Sequence, residues 1–180
     1  MSPHLNGNTV TISAQQSGFK KDRLIDFPGQ ILSFSTFGAE FVIEYMVSNG
    51  GFRAERYDKT GFPVWSFESR DAHKVSVTQD ALEIDAVRYE LLQPLVAACE
   101  VAPSGYAILT SPTVAENLYC YAYDGSLRWQ VAKRDFTPEV PYEFISILNS
   151  NIIRARIRHG ARIYDVSVSN GQILSYKDSK

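Results

Sequence analysis

Four acidic residues crowd the middle of the chain, at a spacing that could serve acid–base chemistry or a cation site. They are Asp80, Glu83, Asp85 and Glu90. In a strand, side chains alternate between two faces, so Glu83 and Asp85 would share one face. Two neighbouring carboxylates are the minimum for a general acid and base or for a hard cation. The same pattern is typical of a solvated strand face, which would suit a basic partner.

A row of arginines near the end of the chain suits anion recognition instead. Arg154, Arg156 and Arg158 alternate with apolar residues, and Arg162 follows across a turn. This alternation predicts a strand with the arginines on one face. Arginine pairs bidentately with carboxylate or phosphate, so such a row would read anions. The alternative is a polar outer face partly neutralised by Asp165, which could lie opposite Arg154 in a hairpin.

The histidines and cysteines form no metal-binding or nucleophilic pattern in the sequence. His4, His73 and His159 are far apart, and none stands at ligand spacing from another. Cys99 and Cys120 lie in apolar, strand-like stretches, which favours two buried thiols over a disulfide. A buried thiol stays protonated and unreactive. We therefore expect no catalytic residues, no metal and no cofactor.

The elements that position these groups are predicted to be short β-strands arranged as hairpins. Alternating tyrosines and then Asp124-Gly125 mark one hairpin over Tyr119–Val131, where Asp-Gly favours a type I′ turn. Related phrases recur over Glu55–Phe67 and Arg162–Tyr176, and a looser one over Arg23–Phe34. Four related hairpins indicate a repeated β-sheet unit.

The repeated phrase is an aspartate, a turn with glycine, and then a tryptophan or leucine. Its four occurrences are Asp58, Gly61 and Trp65; Asp124, Gly125 and Trp129; Asp165, Gly171 and Leu174; and Asp26, Gly29 and Leu32. It resembles the repeat of quinoprotein-type (pyrroloquinoline-quinone) β-propellers. The resemblance implies a propeller-like fold, in which aspartate and glycine satisfy the turn and tryptophan fills the space between sheets. Quinoprotein enzymes use many more repeats, so their activity and cofactor are not expected here.

The expected architecture is all-β: a small propeller-like or stacked antiparallel β-sheet assembly built from the four hairpins. At 180 residues the chain is predicted to be a single domain over 1–180. Residues 1–8 are expected to form a loose end, and residues 69–104 could hold an insertion. Gln79–Leu92 fits either a helix or strands, and its neighbours favour strands.

Composition restricts the partners. The formal net charge of −2 argues against a nucleic-acid binder, because such binding depends on cationic charge. The first residues lack a secretory pattern, and no long apolar run suggests a membrane span. We therefore expect a cytoplasmic protein with neither nucleic acid nor membrane as its partner.

Three functions remain open from the sequence. The first is a non-enzymatic protein that binds one macromolecular partner, similar in size and style to the immunity proteins with which bacteria neutralise toxins. Its partner-binding residues would be Arg154, Arg156, Arg158, Arg162, Glu83 and Asp85. The second is an enzyme or small-ligand protein with a central pocket that Tyr119, Tyr121 and Tyr123 or the arginines would line. The third is a structural module that self-associates through sheet edges.

Overall fold

A computed structural model describes residues 3–16, 19–48, 50–111, 113, 115–132, 140–157 and 162–178, with the backbone alone at 14–16 and 19–21. The described residues form eighteen β-strands in antiparallel sheets, and no helix occurs among them. The all-β prediction is therefore confirmed. The chain divides into two compact units, Met1–His73 and Lys74–Lys180. The single domain over 1–180 stays a prediction.

Seven strands occur among the described residues of the first unit. They are β1 (His4–Asn6), β2 (Thr9–Gln16), β3 (Phe19–Asp26), β4 (Gly29–Phe37), β5 (Glu40–Val47), β6 (Phe52–Tyr57) and β7 (Pro63–Ser69). β1–β3 form one antiparallel sheet, and β4–β7 follow one another as an antiparallel meander. On β5, strict alternation buries Phe41, Ile43 and Tyr45. These side chains pack with Val10, Ile12 and Phe27 in an apolar core.

In the second unit, the part of the chain that the structure describes forms eleven strands. They are β8 (Val75–Val77), β9 (Ala81–Ile84), β10 (Val87–Glu90), β11 (Leu95–Val101), β12 (Gly105–Thr110), β13 (Leu118–Tyr121), β14 (Leu127–Gln130), β15 (Tyr142–Asn149), β16 (Ile152–Ile157), β17 (Arg162–Ser167) and β18 (Ile173–Asp178). β8–β10 form a three-stranded sheet, β11–β14 a meander, and β15–β18 a four-stranded sheet. Gln79–Leu92 thus contains strands, as its neighbours favoured.

The meander β11–β14 and the sheet β15–β18 share one apolar core. Leu109 and Leu118 contribute to it from the meander, and Ile153, Ala155 and Val166 from the four-stranded sheet. All five are fully buried. Burial of one such aliphatic side chain stabilises the fold by roughly 1.5–3 kcal/mol, so this core holds the four-stranded sheet in place.

Trp129 and Asn117 reinforce that junction with hydrogen bonds. The indole Nε1 of Trp129 donates to the carbonyl oxygen of Val168 at 2.7 Å. The buried amide of Asn117 donates to the carbonyl oxygens of Thr110 and Tyr142 at 2.8 and 2.9 Å, and its oxygen accepts from the Tyr142 backbone at 2.9 Å. Trp129 therefore fills the space between two sheets, as the sequence predicted for the tryptophan of the repeated phrase.

Cys99 and Cys120 are both buried, and no disulfide joins them, as the sequence favoured. Ala107 lies opposite each of them on the intervening strand β12. Two strand spacings separate the cysteines by about 10 Å, whereas disulfides need Cα atoms within about 7 Å. Burial also raises the pKa of the Cys120 thiol to about 11.

The turn at Asp124-Gly125 differs from the type I′ turn that the sequence predicted. At Asp124-Gly125 only the glycine has a positive φ, of 87°. The amide of Gly125 donates to the carbonyl of Ala122, and the amide of Ala122 donates to the carbonyl of Ser126. This is a three-residue loop with a left-handed glycine, and not a two-residue type I′ turn. Hydrogen bonds from the Ser126 hydroxyl and backbone hold the pKa of Asp124 below its ordinary value.

Three other expectations need correction. The N-terminal segment is not loose throughout, because His4–Asn6 pairs with β2. Arg23–Phe34 is not a hairpin: β3 pairs with β2, and β4 pairs with β5, so the chain changes sheets at Phe27-Pro28. In the last hairpin the turn residue is Asn170, whose side chain accepts from the Gln172 amide at 3.1 Å. Asp165 lies within β17 instead.

Candidate functional site

The outer face of the sheet β15–β18 carries two of the predicted arginines. Alternation along β16 buries Ile153, Ala155 and Ile157 in the core. Arg154 and Arg156 therefore point to the opposite, outer face. The predicted strand and its arginine face are present at these two positions.

Arg154 is neutralised by the residue that the sequence offered as its partner. It lies directly opposite Asp165 on β17, and its Nε donates to Oδ1 of Asp165 at 3.0 Å. Both side chains are partly buried, at 31% and 25% exposed. A pair of this kind contributes up to about 1 kcal/mol. Arg154 therefore supports the sheet more than it presents charge.

Arg156 belongs to a row that crosses the whole sheet. It lies opposite Phe144 on β15 and Ile163 on β17, and Ile163 lies opposite Lys177 on β18. We call Phe144, Arg156, Ile163 and Lys177 the cross-strand row. Directly opposed residues share a face, so all four side chains project outward. Sequence inspection missed Phe144, Ile163 and Lys177 because only the strand register brings them beside Arg156.

The cross-strand row is cationic and partly apolar. The Arg156 guanidinium lies over the Phe144 ring, 5.5 Å from its centroid. Arg156 and Lys177 have no ion-pair partner among the described residues. Glu143 is exposed at the adjacent β-bulge but makes no ion pair with Arg156 there. Phe144 is 51% exposed.

Arg162, which the sequence grouped with these arginines as partner-binding, does not share their face. Tyr164 lies opposite Ala155, so it shares the core side of the sheet, and Arg162 stands two residues before it. Arg162 therefore falls on that side at the end of β17. Its Nε donates to Oδ1 of Asp178 at 2.9 Å, and its guanidinium covers the Tyr176 ring at 4.8 Å. Arg158 lies outside the described residues.

The predicted carboxylate pair is not formed. β9 ends at Ile84, and Asp85 and Ala86 form the two-residue turn to β10, with φ of 50° and 69°. The Asp85 carboxylate accepts from the Lys74 amide at 2.8 Å. Glu83 and Asp85 therefore do not share a strand face. The reason is that Asp tolerates the left-handed conformation that a tight hairpin requires, so it takes the turn.

Arg88 neutralises much of the remaining acidic surface. Its guanidinium lies 2.6 Å from Glu90, 3.2 Å from Asp80 and 3.6 Å from Glu83. Hydrogen bonds from Thr78, and then the charge of Arg88, hold the pKa of Asp80 below its ordinary value. Within the described ranges, no group of three or more His, Cys, Asp or Glu residues could hold a metal ion.

The tyrosines that might have lined a pocket are mainly packing residues. Tyr119 and Tyr121 are 3% and 6% exposed. The Tyr121 hydroxyl donates to the carbonyl oxygen of Glu90 at 2.6 Å, which fixes β10 against β13. Tyr123 is partly exposed, and its hydroxyl donates to Glu100 Oε1 at 2.8 Å. The cross-strand row is therefore the candidate site that the structure brings together.

Comparison with known proteins gives structural neighbours only. No protein-family model and no curated protein matches the chain. The WD40 β-propeller domain of Doa1 is 8% identical over 96% of this chain and 62% of that chain, with a TM-score of 0.47. BamB from Moraxella catarrhalis is 14% identical over 98% and 47%, with a TM-score of 0.39. The β-propeller domain of Myceliophteria thermophila Cps50 (Swd1) is 11% identical over 85% and 61%, with a TM-score of 0.48.

These neighbours include β-propeller domains, and the chain spans about half to three-fifths of their length. Each of these TM-scores lies below 0.5. The quinoprotein-type and immunity-protein resemblances are not confirmed by the comparisons. Within the described residues there is also no helix long and apolar enough to cross a membrane.

Proposed function

We propose that this chain is a non-enzymatic protein-binding module that recognises an acidic protein surface through the outer face of β15–β18. The observation that carries the proposal is the cross-strand row, in which Arg156 and Lys177 flank Ile163 without an ion-pair partner among the described residues. The whole chain is net negative, at −2, so this positive face is locally distinct.

The composition of the row matches that of binding surfaces. Arginine and aromatic residues are enriched at protein interfaces, where they carry much of the binding energy. Stacking on Phe144 orders the Arg156 guanidinium while leaving its N–H groups available to a carboxylate. A guanidinium that is already ordered loses less conformational entropy on binding.

The sheet beneath the row is well suited to hold it rigid. The opposite faces of β16 and β17 are buried in the core through Ile153, Ala155 and Val166. Each row residue is fixed in register by its neighbours on adjacent strands. Rigid presentation favours one specific partner, because the surface need not reorganise on binding.

The finer hypotheses stay predictions. A toxin as the partner, which the chain would neutralise by direct binding in the cytoplasm, is compatible with this surface and needs its own test. Self-association would involve the edge of the same sheet.

Affinity capture from lysate of the source cells tests the proposal. The purified chain, the double variant Arg156→Glu/Lys177→Glu and the control Lys59→Glu would be compared by quantitative mass spectrometry. Lys59 is an exposed turn residue and is not a member of the row, so its reversal alters the charge of the chain while the row keeps its residues.

We expect one stoichiometric, acidic partner with the wild type and with Lys59→Glu, and at least a tenfold loss with the double variant. The expected loss reflects two unfavourable charge contacts, each of about 1 kcal/mol or more. Undiminished capture by the double variant would refute this surface as the binding site. Turnover of a small molecule by the purified chain would refute the non-enzymatic assignment.

A further inference from the structure

We infer that β18 is a docking edge that receives an extended acidic strand from the partner, which would extend the sheet β15–β18 by a fifth strand. This inference rests on the proposed function and specifies how the partner binds. β18 stands at the end of the sheet, and β17 is its one strand neighbour among the described residues. The backbone groups on its other side are therefore available to pair with an incoming strand.

The edge is long and exposed enough to accept such a strand. β18 covers six residues, and five of them are exposed. Leu174 and Tyr176 are 57% and 59% exposed, so both side chains present apolar surface at this edge. An added strand would cover them on one side while its backbone extends the ladder.

The two sides of β18 specify the chemistry of the incoming strand. Lys177 and Ser175 lie on the outer face, since they pair with Ile163 and Asp165. Tyr176 lies on the core side, opposite Tyr164. Cross-strand neighbours in a sheet interact directly. The incoming strand should therefore place acidic side chains beside Lys177 and apolar side chains beside Tyr176, in alternation.

Charge also argues against a second copy of this chain as the occupant. Antiparallel pairing of two β18 strands must keep outer residues with outer residues. With Tyr176 at the two-fold axis, Lys177 pairs with Ser175 of the other copy. The two lysines then lie diagonally across the new strand pair, with their Cα atoms roughly 7–8 Å apart. Repulsion between like charges disfavours that arrangement, whereas an acidic strand removes it.

Hydrogen exchange measured by NMR tests the inference on the full chain. The probe is a capped nine-residue peptide in which glutamate alternates with valine. Two control peptides carry lysine in place of glutamate, or N-methyl groups at every second residue. The protein variants are Lys177→Glu and the control Lys59→Glu.

With the glutamate–valine peptide, we expect at least tenfold slower exchange at every second amide of Ile173–Asp178. Affinity should fall about tenfold for Lys177→Glu and stay unchanged for Lys59→Glu. The N-methylated peptide should give no protection, and Lys177→Glu should gain affinity for the lysine peptide.

Three results would overturn the inference. One is peptide binding that shifts the NMR signals of Phe144 and Arg156 but does not slow hydrogen exchange of the β18 amides. This result would leave the proposal for the outer face standing. Another is no binding of the glutamate–valine peptide at millimolar concentration. The third is concentration-dependent dimerisation of the free chain that protects β18, which would identify a second copy as the occupant.

Discussion

Replacement of Gly171 by alanine should weaken the junction between β14 and the sheet β15–β18. Gly171 has a φ of +72°, in the turn that leads into β18. A Cβ at this position would stand 2.5 Å from Cε3 of Trp129. Trp129 is 8% exposed and donates to the Val168 carbonyl, so the indole has little room to move.

Two costs add in this variant. The left-handed conformation costs alanine roughly 1–2 kcal/mol more than glycine. Overpacking against the indole costs a further 1–3 kcal/mol, or about 1 kcal/mol if the ring moves and its hydrogen bond breaks. The expected loss is therefore about 2–5 kcal/mol. With a urea m-value of about 2 kcal/mol per molar, the midpoint should fall by roughly 1–2.5 M.

Urea unfolding followed by tryptophan fluorescence measures this loss. Gly38→Ala is the matched control, because Gly38 has a φ of +67° and open space around the added Cβ. It isolates the backbone cost at about 1–2 kcal/mol. Equal losses in the two variants would refute the close packing of Gly171 on Trp129. A double variant with Trp129→Leu should recover part of the Gly171→Ala loss.

Three further predictions concern other parts of the second unit. Ala86→Gly should stabilise the chain by about 1 kcal/mol in urea unfolding, because glycine relieves the positive φ of 69°; a loss would contradict the turn geometry. Asn117→Ala should lower the free energy of unfolding by about 2–4 kcal/mol, because it removes three buried hydrogen bonds. Asn117→Asp should not restore the two bonds that the amide donates, because an ionised carboxylate has no donor. The Cys120 thiol should resist a thiol reagent at pH 8 until urea unfolds the chain. Its folded pKa of about 11 exceeds the ordinary value of 9.0, so the thiol of the unfolded chain ionises at lower pH than that of the folded chain. The free energy of unfolding should therefore fall as pH rises from 9 to 11. Fast reaction of the folded chain with the thiol reagent would contradict the burial of Cys120.

The sequence predicted local features well because local patterns determine them. Alternation along β16 placed Arg154 and Arg156 opposite the core, as the structure has them. Asp165 was offered as a possible partner opposite Arg154, and the two residues are paired across β16 and β17. The resemblance of the repeated phrase to propeller repeats implied that Trp129 fills the space between sheets, and its indole lies there.

The errors arose where a pattern fits two backbone geometries. Asp85 continues the alternation of β9, but a two-residue turn begins there, and the switch depends on the pairing of β9 with β10. Arg162 follows the arginine row in sequence, yet it is two residues from the buried Tyr164 and shares its side. A change by one residue reverses the face of a strand side chain.

The local pattern also did not predict which strands pair with each other. Arg23–Phe34 contains a turn-like Pro28-Gly29, but β3 pairs with β2 and β4 pairs with β5. The cross-strand row depends on the same long-range information. Lys177 and Arg156 are distant in sequence and meet on one face only through the register of β17.

Site-specific photocrosslinking in the source cells tests the central claim most directly. A photoreactive phenylalanine analogue would replace Phe144 in the cross-strand row and, as a control, Phe37, which is 62% exposed on β4. The proposed function predicts one crosslinked partner from position 144, lost with Arg156→Glu, and none from position 37. Equal crosslinking from both positions, or a product at 144 that survives Arg156→Glu, would contradict recognition through this face.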